Sequence, residues 1–177
     1  MLAGDWYLAE DEELAADRRS CRLANERLNA TSMTDGPARE LILRQLLGDL
    51  GAGTEILSPF QCDYGYQIEI GSRTFINFGV VILDSAPVRI GDDVQLGPSV
   101  KLVTPMHPLD PEQRRTRIES AAAITICDDV WLATGVIVCP GVTIGQGSVV
   151  GAGSIVTRDL PPRHLCLGNP CRPVREV

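Results

Sequence analysis

The stretch TPMHPLD, residues 104–110, holds His107, one of only two histidines in 177 residues, with Pro105 and Pro108 stiffening the backbone beside it. A histidine in such a place is either a proton-transfer group or a solvated loop side chain, and the residues alone leave both readings open. His107 and His164 together cannot supply the roughly three imidazoles that a catalytic zinc of the carbonic anhydrase type needs, and no metal is expected. Toward the C-terminus Arg172 and Arg175 follow GNPC. They make a local cationic cluster or, taken singly, two solvated tail charges. Glu119 shares the His107 segment, among Arg114, Arg115 and Arg117, where it is as readily a solvated charge as a working carboxylate.

What must position these residues is legible in the periods of the chain. Up to about residue 50 the pattern is helical: Leu14, Cys21 and Leu28 lie seven apart with Ala24 on the same side, and a turn follows at TSMTDGP. Pro37 suits the first turn of a second helix carrying Leu41, Leu43, Leu46, Leu47 and Leu50, with Gly51 as its stop. From Ile70 the period becomes six. Ile70, Ile76 and Ile82 form one series; Ile90, Leu96 and Leu102 a second; and Ile126, Leu132, Val138, Ile144, Val150 and Val156 a third. Small or aliphatic residues follow four positions later at Val94, Val100, Val130, Val136, Val142, Ser148 and Ser154. A helix would smear this period around its circumference. One short strand and one corner per hexapeptide, stacked in parallel with the anchors inward, accommodates it.

The division that follows is a helical segment over 1–52 and a repeat array over 53–177, interrupted by an extruded loop at about 103–125. A loop of that length is functional or disordered as a rule. A net charge of −7 argues against nucleic acid and anionic membranes as partners. No apolar run approaches the roughly 20 residues that span a bilayer, and the start, MLAGDWYLAEDEE, is acidic where a signal peptide is basic and then apolar, so a cytoplasmic location is expected. The six cysteines form no CxxC pair and read best as reduced packing residues, with disulfides and zinc the less favoured alternatives.

IGDDVQLGPSVKLV, VWLATGVIVCPGVTIGQGSVVGAGSIVTRDLPP and LGNPCRPV resemble the hexapeptide-repeat acyltransferases. With FQCDYGYQIEIGSRTFINF, ILDSAPVRIGD, HPLD and the opening LAGDWY, the full order is similar to the maltose and galactoside O-acetyltransferases. The resemblance implies a mainly β fold, a left-handed parallel β-helix of hexapeptide repeats with a short N-terminal α-helical segment. It also implies a homotrimer with active sites between subunits, and transfer of acetyl from acetyl-CoA, as co-substrate, to a small-molecule hydroxyl acceptor.

Carried over position by position, His107 becomes the general base. Glu119 orients it or meets the acceptor, and Asp63, Asn77 and Asp84 become acceptor-side residues. Thr134 becomes an oxyanion donor through its N–H; Ala152 leaves room for pantetheine; Thr157 and Arg158 line the cofactor; and Arg172 and Arg175 face its phosphates. Trp131 is placed with the cofactor residues, though packing against the loop is the favoured reading of its ring over stacking on a ligand. Four departures stand out. Phe75 replaces a tyrosine of the galactoside branch, Ala9 replaces an acid, and Cys127 and Ala133 replace glycines, Ala133 adding a methyl beside the oxyanion position. An antibiotic or polysaccharide acetyltransferase of the same superfamily is the alternative within the class. A purely structural β-helix is the alternative outside it, and has no use for a histidine loop or a terminal arginine pair.

Overall fold

The computed structural model describes Met1 and residues 4–177; Leu2 and Ala3, part of the LAGDWY motif, lie outside the described residues. Helices α1 (Glu12–Ala30) and α2 (Gly36–Leu46) lead into a parallel β-helix. Asp11 caps α1 by accepting the Glu13 and Leu14 N–H groups, and Asp35 caps α2 by accepting that of Ala38, with Pro37 in the first turn as expected. The second helix ends earlier than the leucine pattern suggests: Leu47 is its cap, and Leu50 belongs to the first prism strand. Gly51 is instead a corner, where a Cβ would lie 2.3 Å from the Gly71 carbonyl carbon of the next coil.

The prism has three faces. Face one stacks Asp49–Leu50, Ile68–Ile70, Val88–Ile90, Ile124–Ile126 and Thr143–Ile144. Face two stacks Glu55–Ile56, Phe75–Ile76, Gln95–Leu96, Trp131–Leu132, Val149–Val150 and His164–Leu167. Face three stacks Phe60–Cys62, Val80–Leu83, Lys101–Val103, Ile137–Val138 and Ile155–Val156. Each hexapeptide anchor is buried and stands over its counterpart one coil away, as in Ile70↔Ile90, Ile76↔Leu96 and Ile82↔Leu102. The four-residue echoes Val94, Val100, Val130, Val136, Val142, Ser148 and Ser154 are buried as well.

Both ends of a parallel stack leave unpaired backbone groups that must be covered. At the first coil the helices do this with side chains. Asn29 donates to the Phe60 carbonyl and accepts the Phe60 N–H, and Asn25 donates to the Cys62 carbonyl. Arg39 donates to the Ile56 carbonyl, and Arg44 to that of Leu50, so each face has its first strand capped. Arg39 also donates to the Leu28 and Thr31 carbonyls and the Ser58 hydroxyl, tying the end of α1 to the prism. At the last coil Arg172–Glu176 turns back antiparallel on His164–Leu167. Among the described residues no helix is long and apolar enough to cross a membrane, and all six cysteines are free thiols.

Arg39 is buried and its known partners are all neutral oxygens, so its removal orphans carbonyls in three segments at once. Arg39→Leu is expected to lower unfolding free energy by about 3 kcal/mol, read as a shift of the urea midpoint at unchanged slope. A midpoint equal to wild type would show that water replaces the guanidinium without loss.

Candidate active site

The excursion between Val103 and Ile124 has structure of its own. It leaves at Thr104, a fully buried residue whose hydroxyl donates to the Leu83 carbonyl and accepts the Ala86 N–H, while the Thr104 carbonyl accepts the returning Ala122 N–H. The two arms Pro105–Met106 and Ile118–Ala121 pair antiparallel, joined through the short helix α3 (Pro111–Arg115). Arg114 donates to the Pro108 and Leu109 carbonyls just beyond His107. The N-terminal strand Tyr7–Leu8 adds to the other side of Ile118–Ala121, with Tyr7 opposite Glu119.

This scaffold presents the His107 ring to solvent, its side chain 60% exposed, and holds Glu119 behind it with its side chain only 12% exposed. Glu119 Oε2 lies 4.0 Å from His107 Nδ1, an ion-pair distance once the ring is protonated. Glu119 Oε1 accepts a 2.5 Å hydrogen bond from the Tyr7 hydroxyl. Burial first, and then Glu119, push the Tyr7 phenol above its ordinary pKa, so it stays a donor. Expected either to orient the ring or to meet the acceptor, Glu119 stands behind the ring at 4.0 Å.

The residues expected on the acceptor side fall in two groups. Asp63 is half-buried, and burial followed by the neighbouring Asp84 charge raises its pKa, against the pull of Arg18 and Arg22. Arg18 of α1 donates to the Tyr64 hydroxyl and the Ala9 carbonyl, so a guanidinium borders the position where the galactoside branch has an acid. Asp84 does not offer an oxygen to an acceptor, contrary to the expectation. It is fully buried, Oδ1 accepts the Asp63 and Tyr64 N–H groups at 3.0 and 2.9 Å, and Oδ2 accepts that of Gly65 at 2.7 Å. Its role here is to hold the turn that presents Asp63, and burial raises its pKa against those three bonds.

Asn77 stands elsewhere, at the edge between faces two and three, where its Oδ1 accepts the Phe78 N–H. That edge is a column of stacked turns, Gly79 N–H to Pro59, Ser99 to Phe78, Gly135 to Pro98 and Gly153 to Thr134, which sets Asn77, Thr134 and Ala152 in one line. Thr134 and Ala152 are exposed. Gly97 lies beneath Thr134, close enough that a Cβ would come within 2.8 Å of the Thr134 nitrogen. Asp63, Asp84, the root of the His107 loop, Thr157 and Arg158 occupy the next edge, between faces three and one. The four-residue strand Val80–Leu83 separates Asn77 from Asp84, roughly 13 Å at the usual rise per residue. One chain therefore does not bring His107 and Thr134 to the same edge.

Trp131 is half exposed on face two. Arg172 is partly buried and Arg175 exposed on the last strand, each with one donor on a neighbouring carbonyl and the rest of the fork open among the described residues. Cys127 sits on the third edge, between faces one and two, away from both groups, whereas Ala133 lies next to Thr134.

Residues 1–51 match the maltose acetyltransferase hexapeptide capping motif, and residues 123–158 match six repeats of the bacterial transferase hexapeptide. Nodulation protein L of Rhizobium meliloti is 46% identical over 172 residues, covering 97% of this chain and 94% of that protein. The chain belongs to the maltose/galactoside O-acetyltransferase family. A maltose O-acetyltransferase from Clostridium difficile superposes with a TM-score of 0.98 at 41% identity, covering 99% of this chain and 94% of that one. A hexapeptide-repeat acetyltransferase of Vibrio cholerae complexed with acetyl coenzyme A gives 0.94 at 39% identity, covering 99% and 95%.

Membership in this O-acetyltransferase family leaves the supporting residues of the chain to be found in the structure. Tyr7, Arg18 and Tyr64 border the candidate base and Asp63; Tyr7 and Tyr64 lie in the LAGDWY and FQCDYGY stretches, yet nothing in the local sequence says which partner each residue meets. Tyr7 stands among other hydrophobics, and its partner is 112 positions away. Asp84→Asn tests the correction made above. An amide NH2 in place of Oδ2 would meet the Gly65 N–H donor to donor, and a loss of about 2 kcal/mol in stability is expected, measured by denaturant unfolding. Unchanged stability with a raised KM for acceptor would return Asp84 to the binding set.

Proposed function

We propose that the protein transfers the acetyl group of acetyl-CoA directly to a hydroxyl of a sugar or sugar-like acceptor, with His107 as general base. One observation carries this reading: a structured loop spends its hydrogen bonds on placing an exposed imidazole in front of a shielded carboxylate. A solvated loop histidine needs no such backing. His107 takes the proton of the acceptor hydroxyl as that oxygen attacks the thioester carbonyl, and Glu119 stabilises the imidazolium so formed. The Thr134 N–H faces the charge that develops on the carbonyl oxygen. Collapse expels the thiolate, and His107 returns the proton to it, so that no acyl-enzyme is needed.

The residues present fit coenzyme A. Ala152 keeps its edge open for a thin pantetheine arm, Trp131 stands on the adjoining face, Thr157 belongs to the loop edge that a second chain would bring against it, and Arg158, Arg172 and Arg175 supply cations for phosphates on a chain of net charge −7. Asp63 and Asn77 supply acceptors and donors for a polyhydroxylated substrate. The match of residues 1–51 to the maltose acetyltransferase capping motif favours a sugar over an antibiotic or polysaccharide acceptor.

The two edges also support an assembly. His107 and Asp63 belong to one edge, and Asn77, Thr134 and Ala152 to the next, so the complete constellation requires the loop edge of one chain against the Thr134 edge of another. A homotrimer meets this need with three equal interfaces.

His107→Ala is expected to keep its melting temperature and acetyl-CoA affinity while kcat falls roughly 10²–10⁴-fold. Retention of more than about a tenth of wild-type turnover on a good acceptor would place the base elsewhere. Composite sites have their own test. His107→Ala chains and Ala152→Trp chains, each inactive alone, are expected to regain activity when unfolded, mixed and refolded together, because some interfaces then pair an intact loop with an intact edge. A mixture as inactive as its parents would show that each site lies within one chain.

A further inference from the structure

We propose that Tyr7 is a positioning residue of this active site, its hydroxyl fixing the Glu119 carboxylate behind His107. The inference rests on His107 being the general base.

Tyr7 reaches Glu119 because the N-terminal strand is zipped onto the strand that carries the acid. Tyr7 faces Glu119 and Leu8 faces Ile118 in antiparallel register, and the Ala9 N–H donates to the Arg117 carbonyl. Residues directly opposite in such a pair project from the same side of the sheet, which puts the phenol alongside the carboxylate. The 2.5 Å separation is that of a charge-assisted O–H···O⁻ bond. The hydroxyl therefore occupies one oxygen of Glu119 and leaves the other, Oε2, as the one turned toward His107 Nδ1. Packing alone does not call for this hydroxyl, since a phenyl ring would fill the same space.

The groups facing the pair are few. Ser85 approaches the Tyr7 hydroxyl from the corner after Leu83, and Tyr64 and Asp63 approach from the connection after Cys62. Arg18 of α1 is held on the Tyr64 hydroxyl. Arg117 is engaged by Glu10 at the rim, and Arg114 by loop carbonyls. Tyr7 is thus the hydroxyl that donates to Glu119 among the described residues.

Two consequences follow with opposite signs. Without the phenol, Glu119 keeps its full negative charge and basicity, favours the imidazolium more, and raises the pH at which His107 loses its proton. Without the charge, as in Glu119→Gln, the imidazolium loses its support and that pH falls. The chain has only two histidines, so the His107 ring resonance can be followed by NMR against pH, with His107→Ala giving the assignment.

The experiment compares wild type, Tyr7→Phe and Glu119→Gln by that titration and by steady-state kinetics. Tyr7→Phe is expected to move the His107 midpoint up and Glu119→Gln to move it down. Tyr7→Phe should lower kcat roughly tenfold, the equivalent of about 1.4 kcal/mol, with the KM for acetyl-CoA unchanged. Identical midpoints in wild type and Tyr7→Phe would overturn the proposal, and because this readout needs no turnover it stands even where the variant loses activity for other reasons. Should Tyr7→Phe fail to fold, a Glu119→Gln midpoint equal to wild type overturns it too, since Tyr7 would then have no route to the ring. A His107→Ala protein that retains turnover would instead overturn the general-base reading, and the role of Tyr7 with it.

Discussion

The coil-to-coil register of the prism is the constraint on which the rest depends. Every aliphatic anchor must stand over the one a coil away, or the backbone ladders and the core fail together. Lys101–Val103 pairs with Ile137–Val138 on face three, and Val88–Ile90 pairs with Ile124–Ile126 on face one, in the same registers as coils that have no insertion. The His107 excursion is therefore inserted without shifting a single anchor. It can leave only at a corner, and there Thr104 closes the gap by satisfying Leu83, Ala86 and Ala122 through its own hydroxyl and backbone. A rigid stack thereby holds a loop whose position is set to within the tolerance of its root.

The same economy governs polar groups that the stack cannot pair by itself. Arg39, Asn25 and Asn29 close the first coil, Asp84 closes the turn at Asp63, and Ser148 and Ser154 bond into the corners above, through the Pro161 carbonyl and the Gly168 N–H. These are buried or half-buried polar side chains whose partners are mostly backbone groups, so each is worth more for what its loss would orphan than for its own bond. An acidic residue buried in this fold is consequently not evidence of a ligand contact unless one oxygen is left free. Asp84 fails that criterion, and Glu119 meets it on the side facing His107.

Much of this was legible in the sequence, for a physical reason. A six-residue period, repeated through twelve anchors, is a nearly one-dimensional code in which burial follows from position, and all twelve anchors are inward. Local capping chemistry made both helices readable, but the end of α2 was not, because Leu47 and Leu50 are as apolar in a strand as in a helix. The inner structure of the His107 loop was illegible for another reason. Its third strand, Tyr7–Leu8, comes from the other end of the chain, and a pairing of such long range has no local signature. The burial of Asp84 was hidden too, since ILDSA reads the same whether its carboxylate faces ligand or turn.

The four departures from the family pattern differ in where they stand. Cys127 lies on the edge that carries neither half of the candidate site, so replacing glycine there concerns packing. Ala133 adjoins Thr134, and its methyl bears on the space beside the proposed oxyanion donor. Ala9 and Phe75 stand where the resemblance expects acceptor contacts, and each lacks the polar group expected there, a carboxylate at one and a hydroxyl at the other. Near Ala9 the chain has Arg18, whose guanidinium is held by the Ala9 carbonyl and the Tyr64 hydroxyl. On the proposed reading, the acceptor side lacks an acid and has a neighbouring cation instead, while the histidine loop and its carboxylate stand. Proton transfer, on that same reading, rests on His107 and Glu119 and acceptor recognition on other residues, so the second can change while the first stays in place.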